Sequence, residues 1–331
     1  MKPFSSRILA SSSRQAIPVL TFPGGQLTGA TVREMVHDHR KQAAAQLALR
    51  DRFPLFALLS AMDLSAEAEE FGATVRFEDH EIPTVTGRLV CDLPSVDALR
   101  IPRVGSKRTR VYLDTIAELA RVRGNLPVIA GCIGPFSLAG RLFGVSEALL
   151  ATAMEPETVE LLLEKTTAFL LRYVREFKNA GAEALIMAEP TAGLMSPASV
   201  SLFSSPYVRQ IIDEVEDDRF QIILHNCGAK IGHLNATLAS GATALHFGKP
   251  MDLPAAIQAG PAGTVFCGNL DPAEIFVNST PEEVAARTEA LLQATAGAKN
   301  FVISSGCDVP AHVSLANLQA FFDTVTRFNA G

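Results

Sequence analysis

Short apolar runs recur along the chain and alternate with stretches of helical periodicity. Eight such runs are rich in β-branched residues and lack the strict alternation of a strand exposed on one face. They occupy residues 18–22, 54–60, 127–131, 184–189, 221–225, 244–248, 264–269 and 301–306. Continuous runs of this length are typical of strands buried on both faces of a parallel sheet. The pattern therefore predicts eight parallel strands.

The stretches between these runs carry apolar residues at spacings of three and four, as amphipathic helices do. The pattern over residues 147–181 ends at Gly181, a residue that favours helix termination. Another pattern starts with Thr280 as a helix cap and Pro281 at the first helical position. Alternating strands and helices predict the α/β class, and eight strands favour a (β/α)8 TIM barrel. The rival is a doubly wound open sheet, but no glycine-rich dinucleotide-binding turn follows the first run.

The interval between the second and third runs is too long for a single crossover helix. Within it, residues 74–90 (TVRFEDHEIPTVTGRLV) have the pattern of two short strands about a turn. We therefore expect a small β-hairpin insertion between strands 2 and 3 of the barrel. We expect residues 1–331 to form a single barrel domain, because such barrels commonly reach this size.

The charge balance narrows the classes of partner. The chain has a net charge of −6 and no basic run, so we expect neither a nucleic-acid partner nor an anionic membrane partner. No uncharged apolar run reaches the length of a transmembrane helix, and residues 1–20 lack the apolar core of a signal peptide. We therefore expect a cytoplasmic protein. Its five cysteines form an odd, sparse set, which predicts reduced thiols rather than a disulfide framework.

Three of the conventional metal-ligand residues follow predicted strands. His225 and Cys227 stand at the end of one strand, and residues two apart on an extended segment point the same way. Cys307 follows another strand, and barrel active sites are built at these strand ends. One nitrogen and two sulfur ligands predict a zinc ion with a fourth position open for catalysis. The alternative is a buried histidine beside cysteines that act as small core residues, and Cys132 and Cys267 are rival ligands.

A zinc ion at this place could serve three kinds of chemistry. It can hold a thiolate as a nucleophile, because coordination deprotonates a thiol near neutral pH. It can also polarise an ether or carbonyl oxygen, or activate a water molecule for hydrolysis. The residues by themselves do not rank these roles.

Further polar residues follow other predicted strands. Glu189 is a candidate substrate ligand or general base, with the capping of a helix as the structural alternative. Asp271 is a candidate for orienting the substrate or acting catalytically, and it equally suits an ordinary turn or helix start. Asn269, in the same GNLDP segment, is a candidate substrate-binding residue. Gly134 begins the segment Gly-Pro-Phe, which we expect to shape a pocket wall.

Three more acids stand near predicted strand ends. Asp308 follows Cys307 directly and could support the metal ligands from behind. Asp63 and Glu67 are four residues apart, so they share one face of a helical turn. That face is either functional or simply solvated.

Several longer motifs resemble those of one family. They are AMDLSAEAEEFG (61–72), GPFSLAGRLFGV (134–145), EP with SP and FSSPY (189–207), LHNCG (224–228), GNLDP (268–272) and SSGCDVPAHVSLANL (304–318). Together they identify the chain as similar to the uroporphyrinogen decarboxylase superfamily, and within it to the zinc-dependent, corrinoid-linked methyltransferases. The resemblance is to the methylcobamide:coenzyme M methyltransferases in particular. It implies a (β/α)8 barrel with His225, Cys227 and Cys307 as zinc ligands.

The chain also departs from this family. In the thiol-using enzymes an acid can complete the resting zinc at the strand end after H-x-C-G, whereas residues 245–249 here read LHFGK. His246 is the conventional ligand in that stretch, and we expect it to contact substrate, with water as the alternative fourth ligand. Decarboxylases grip tetrapyrrole carboxylates with an Arg-Gln-Ala-Gly-Arg segment after the first strand, but residues 22–29 read FPGGQLTG. The Arg14-Gln15-Ala16 string precedes the predicted strand.

The resemblance implies a methyltransferase that moves a methyl group between methylcobalamin and a small acceptor, such as a thiol or tetrahydrofolate. The Asp-x-His-x-x-Gly motif of cobalamin carriers is missing, so the corrinoid would arrive free or on a separate corrinoid-binding protein. Three alternatives remain: a demethylating enzyme that takes methyl from an ether or amine to cobalt(I), a uroporphyrinogen decarboxylase-type lyase, and a non-catalytic binding barrel.

Overall fold

The computed structural model describes residues 3–331. Eight of its ten strands form one parallel sheet, and the other two form a hairpin. The strands are β1 (Gln15–Ala16), β2 (Leu58–Leu59), β3 (Thr74–Arg76), β4 (Thr84–Thr86), β5 (Val128–Ile133), β6 (Ala184–Ala188), β7 (Gln221–Asn226), β8 (Ala244–Phe247), β9 (Val265–Leu270) and β10 (Phe301–Ser305). In the sheet the order is β1-β10-β9-β8-β7-β6-β5-β2, the order of a barrel in which β1 and β2 meet at the seam. Within residues 3–331, no ladder joins these two short strands.

Most helices follow the strands and cover the outside of the sheet, whereas the first helix precedes β1 and packs against the layer inside the barrel. They are α1 (Phe4–Leu9), α2 (Gly25–Thr28), α3 (Val32–Met35), α4 (His39–Arg52), α5 (Ala66–Phe71), α6 (Leu93–Ala98), α7 (Thr109–Val122), α8 (Pro135–Phe143), α9 (Val145–Met154), α10 (Pro156–Ala180), α11 (Pro197–Phe203), α12 (Ser205–Val215), α13 (Leu234–Leu238), α14 (Leu253–Ala259), α15 (Pro281–Ala294) and α16 (Leu315–Ala330). Short 3₁₀ turns span Pro190–Leu194 and Ile231–His233, and a π-helical turn spans Pro272–Val277. In the part of the chain described, no helix is both long and apolar enough to cross a bilayer.

The predicted barrel and its hairpin insertion are confirmed. The hairpin β3–β4 lies within the predicted range 74–90, between the second and third strands of the sheet. Gly181 ends α10 in the left-handed conformation, and Thr280 forms a capping box at the start of α15. Both helix boundaries therefore follow the local signals in the sequence.

The first two strands are shorter than predicted, and the first is displaced. The apolar run 18–22 is not a strand; β1 lies just before it and pairs Gln15 with Val302. Serine hydroxyls of β10 take the groups that would extend the ladder: Ser304 donates to the Ile17 carbonyl oxygen, and Ser305 accepts from the Val19 amide. Residues 18–22 instead cross the mouth of the barrel as buried, irregular chain. The predicted strand 54–60 narrows to β2.

Arg14 has a structural position at the start of β1. Its guanidinium donates to the carbonyl oxygens of Thr295, Ala298 and Phe301, at 2.9, 2.7 and 2.6 Å. It also lies over the Phe301 ring. These bonds satisfy carbonyls at the end of α15 and fix the first strand against β10.

The apolar residues form two buried layers. One fills the barrel interior with β-branched side chains from the strands, such as Ile129, Ile186 and Val302. The other lies between the outer face of the sheet and the helices. Burial on both faces explains why the strands are continuous apolar runs.

A buried ion pair holds the segment that follows β2. The Asp63 carboxylate, whose side chain is 0% exposed, pairs with Arg108 and accepts hydrogen bonds from the Tyr112 hydroxyl (2.5 Å) and the Ser65 amide (2.8 Å). Burial opposes ionisation of Asp63, but the Arg108 charge and these donors outweigh it and lower its pKa. Between the anchors, Leu64 has a φ of 54°, a left-handed conformation that a branched residue rarely adopts. The ion pair and its hydrogen bonds therefore fix a strained loop.

We predict that Arg108→Met lowers the free energy of unfolding by about 3 kcal/mol, because Asp63 would keep a buried charge without its partner. The matched control is Arg110→Met, which removes an exposed pair with Asp114 on the same helix and should lower the free energy of unfolding far less, because water screens that pair. Urea denaturation of the three proteins measures both effects. Equal losses in the two variants would show that the buried pair does not anchor the loop.

Candidate metal centre at the barrel mouth

The three predicted ligands meet at the carboxyl ends of their strands. His225 lies in β7, Cys227 follows that strand, and Cys307 follows β10. One ligand atom from each residue, the histidine nitrogen and the two Sγ atoms, lies within 4.8 Å of the other two. The His225 side chain is buried, and both cysteines are partly accessible. The spacing suits a single metal ion bound by one nitrogen and two sulfurs.

Glycines allow the strand ends to approach this closely. A Cβ atom on Gly248 would lie 2.2 Å from the Cys227 carbonyl oxygen, and one on Gly306 would lie 3.0 Å from the Gly248 Cα. The backbones of three strand ends therefore pack against one another without side chains between them. An acidic side chain at position 248 would displace Cys227. The strand end after H-x-C-G therefore carries no acid in this chain, and its backbone packs directly against Cys227.

A chain of hydrogen bonds supports His225 from behind. Its Nδ1 lies 2.7 Å from the Nδ1 of His246, whose Nε2 lies 2.9 Å from the Ser304 hydroxyl. That hydroxyl donates to the Ile17 carbonyl oxygen at 2.6 Å. We call the side chains of His225, His246 and Ser304, with the Ile17 carbonyl, the histidine relay.

The direction of the histidine relay follows from its last member, since a carbonyl oxygen can only accept. The Ser304 hydroxyl donates its proton to that oxygen, so the same hydroxyl accepts a hydrogen bond from the Nε2–H of His246. The Nδ1 of His246 is then bare and accepts from the Nδ1–H of His225. This assignment leaves a lone pair on the Nε2 of His225, as metal coordination requires. Burial lowers the pKa of His246 well below its usual value, in keeping with a neutral ring.

The two ligand thiols differ in acidity. Cys307 lies in hydrogen-bonding contact with Cys227, which lowers the pKa of Cys227 to about 7 and raises that of Cys307 to about 12. The rival cysteines are placed elsewhere. Cys132 and Cys267 are buried, burial raises the pKa of each, and neither joins the described metal cluster. Of the five thiols, the structure therefore brings together the two predicted as ligands.

A small cavity opens beside the ligands, with a volume of about 70 Å³. Its wall consists of Val19, Met62, Leu64, Ile186, Ala188, Pro190, His225, Cys227, Cys307 and Asp308. Asp308 accepts a hydrogen bond from the Thr21 hydroxyl and one at 3.3 Å from the Thr21 amide. Burial raises the pKa of Asp308 to about 8. The acid beside Cys307 is thus held by the irregular segment that follows β1.

Glu189 caps a helix. Its carboxyl group accepts hydrogen bonds from the amides of Phe136 (2.8 Å) and Ser137 (2.9 Å) at the start of α8, and from the Ser137 hydroxyl (2.7 Å). Burial raises the pKa of Glu189 to about 7. A Cβ on Gly134 would lie 2.4 Å from the Glu189 Cγ, so the glycine makes room for this acid. Neither residue belongs to the described wall of the cavity.

Asn269 and Asp271 organise the rim. The Asn269 amide donates to the carbonyl oxygens of Gly248 (3.1 Å) and Met251 (2.7 Å). Asp271 accepts from the amides of Ala273 (3.0 Å) and Glu274 (2.8 Å), which makes it the cap of the π-helical turn. His246, expected to meet substrate, lies 3% exposed behind His225. Asn269, Asp271 and His246 therefore support the backbone and the side chains around the cavity. Their predicted roles in catalysis and substrate binding stay predictions.

Comparisons with known proteins point to one family. The sequence profile of uroporphyrinogen decarboxylase (URO-D) matches residues 5–328. A methylcobamide:CoM methyltransferase of Methanosarcina acetivorans is 27% identical over 92% of this chain and 89% of its own length. A methylated-thiol–coenzyme M methyltransferase of Methanosarcina mazei is 29% identical over 78% of this chain and 69% of its own. A solved methyltransferase from Methanosarcina mazei superposes with a TM-score of 0.87, at 19% identity over 99% of both chains, and confirms the fold.

We predict that Cys227 is the first ligand thiol to be alkylated when the metal-free protein is treated with iodoacetamide. With a pKa of about 7, half of Cys227 is thiolate at pH 7 and the fraction falls as the pH is lowered, whereas Cys307 stays protonated. Peptide mass spectrometry between pH 6 and 8, with both sites followed in one sample, measures the two rates. Faster labelling of Cys307 than of Cys227 would contradict the assigned acidity.

Proposed function

The chain belongs to the uroporphyrinogen decarboxylase family, and we propose that it is a zinc-dependent methyltransferase that moves a methyl group from a methylated corrinoid to a small thiol. The observation that carries this proposal is the meeting of one imidazole nitrogen and two thiols beside a cavity at the barrel mouth. The methyltransferase relatives support the class of reaction.

The donor set fits zinc. Zinc favours nitrogen and sulfur ligands in tetrahedral sites, and catalytic sites offer three protein ligands with one open position. His225, Cys227 and Cys307 supply three, and all three residues line the cavity. The histidine relay presents the Nε2 of His225 with a free lone pair, as a ligand must.

Zinc bound there would supply Lewis acidity that keeps an acceptor thiol deprotonated near neutral pH. In the transfer a bond forms between the acceptor sulfur and the methyl carbon, while the cobalt–carbon bond breaks. The electron pair of that bond returns to cobalt, giving cobalt(I), and the thiol proton passes to solvent. His225, Cys227 and Cys307 orient the acceptor, and the cavity wall excludes water from the sulfur.

The corrinoid has to approach from outside. The chain lacks the Asp-x-His-x-x-Gly motif, so we propose that the corrinoid docks at the mouth, either free or on a corrinoid-binding protein. The thiol is favoured over tetrahydrofolate because an N/S₂ zinc site suits thiol activation. Decarboxylation is disfavoured because the segment after the first strand, residues 17–31, contains no arginine.

The test combines metal analysis with methylcobalamin turnover. We expect about one zinc per wild-type chain, the limit that one three-ligand site sets. We also expect the absorbance spectrum of methylcobalamin to change to that of the demethylated cofactor when a thiol is present. Cys307→Ser should lose both the zinc and the turnover. Cys267→Ser, which alters a buried thiol outside the cluster, is the matched control and should keep both. Equal zinc in the two variants, or carboxyl loss from uroporphyrinogen without any demethylation, would refute the proposal.

The histidine relay yields a separate prediction. His246→Phe should weaken zinc binding by roughly 10–100-fold. His225 would lose the closer acceptor of its Nδ1–H, the His246 ring at 2.7 Å, and keep only the His246 carbonyl oxygen at 3.3 Å. Competition with a chromophoric chelator measures the affinity, and His37→Phe, at an exposed position, is the control. In Ser304→Ala, ¹⁵N NMR of the metal-free protein should show His225 as a mixture of tautomers. An unchanged affinity in His246→Phe would show that the relay does not prepare the ligand.

A further inference from the structure

The cavity beside the ligands has a wall that is almost entirely apolar. Its six residues other than the ligands and Asp308 are Val19, Met62, Leu64, Ile186, Ala188 and Pro190. Both carboxyl oxygen atoms of Asp308 already accept hydrogen bonds from Thr21. Among the described residues of this wall there is no lysine and no arginine. A negatively charged group that entered the cavity would therefore find no cationic side chain in this wall.

The loops around the cavity are acidic. We define the mouth loops as the segments after the eight strands of the sheet: 17–24, 60–65, 134, 189–196, 227–230, 248–252, 271–280 and 306–314. Their acids are Asp63, Glu189, Asp252, Asp271, Glu274 and Asp308, and their lysines are Lys230 and Lys249. Lys249 is bound to Glu274 and lies 3.7 Å from Asp271. Arg108 neutralises Asp63, and Glu189 and Asp308 are held by hydrogen bonds. The other three acids still outnumber the two lysines, so the mouth loops supply no net positive charge for an anion.

Such a wall selects against the sulfonate of coenzyme M. An anion that leaves water for an apolar site loses its hydration, and that loss must be offset by charges or donors. The wall contains no lysine or arginine, and the mouth loops supply no net positive charge. An alkyl group, in contrast, gains from contact with Met62, Leu64 and Ile186.

We propose that the methyl acceptor of this protein is a small uncharged thiol with an alkyl body, and not an anionic thiol such as coenzyme M. This inference rests on the proposed function, since it concerns the acceptor in that same transfer. The sulfur would lie on the open side of the three ligands, and the alkyl body would lie against the six apolar wall residues.

Three thiols of similar size separate the possibilities: 1-propanethiol, cysteamine and 2-mercaptoethanesulfonate. The zinc-loaded wild-type protein is mixed with methylcobalamin and each thiol in turn. The kcat/KM for the thiol is then divided by the rate constant of the uncatalysed reaction between methylcobalamin and the same thiol. We expect 1-propanethiol to exceed the sulfonate by about tenfold or more, with cysteamine between them. A sulfonate value equal to or above that of 1-propanethiol would overturn the inference.

A substitution in the wall provides a second test. Met62 is partly exposed and unbranched, so Met62→Lys can bring an ammonium group to the cavity. This variant should raise the sulfonate relative to 1-propanethiol by about tenfold, because it supplies the missing counter-charge. Met62→Leu, whatever its absolute rate, should keep the wild-type order of thiols. An unchanged order in Met62→Lys, in a protein shown to be folded by its circular dichroism, would contradict the assigned role of the wall.

The two proposals fail in different ways. If no thiol demethylates methylcobalamin, the proposed function is wrong. If thiols react and the sulfonate is preferred, the methyl transfer stands and the uncharged acceptor is wrong. Binding gives an independent reading: 1-propanethiol should stabilise the zinc-loaded protein against heat more than the sulfonate does at equal concentration.

Discussion

The close packing of the Gly248 backbone against Cys227 is the contact on which the mouth of the barrel depends. Because residue 248 has no side chain, the segment carrying Cys227 can lie directly on the end of β8. Gly306 repeats the arrangement and brings the segment of Cys307 against Gly248. Backbone contacts thus hold the two cysteines that are the predicted ligands. Their Cα atoms have little freedom to move, which fixes the positions from which the thiols extend.

Polar groups buried around this contact fix the remaining pieces. The Asp63–Arg108 pair holds the loop that carries Met62 and Leu64, both in the cavity wall. Glu189 accepts three hydrogen bonds from the start of α8. These bonds also fix the next residue, Pro190, which belongs to the same wall. Glu189 stands at a strand end, where sequence patterns suggest catalysis, and its catalytic role stays a prediction. The contacts of both acids show how a rigid mouth is built from capped helices and paired charges.

Much of this structure can be predicted from the sequence. Continuous apolar runs predict the parallel barrel, and the spacing in His225-x-Cys227 with a later strand-end Cys307 predicts the ligands. The histidine relay is not predictable in the same way, since Ser304 stands in an ordinary strand pattern and Ile17 contributes only its carbonyl. The burial of Asp63 is also hidden, because its partner Arg108 lies 45 residues away in the chain. The predicted strand at 18–22 is wrong because the apolar residues there are buried as irregular chain at the barrel mouth. Serine hydroxyls replace the backbone bonds that would continue the strand.

The histidine relay ends on Ile17, next to β1, and so it ties the candidate metal centre to the pairing of β1 with β10. Ser304 belongs to β10, the last strand of the sheet, whereas Ile17 follows the first, so the two meet only where these strands lie side by side. Val19 adds a second link across the same junction through the Ser305 hydroxyl. Opening of the β1–β10 pair would separate Ser304 from Ile17 and leave the His246 ring without the group that orients it. The tautomer of His225, and with it the readiness of the candidate site for a metal ion, therefore depends on the pairing of the first strand with the last.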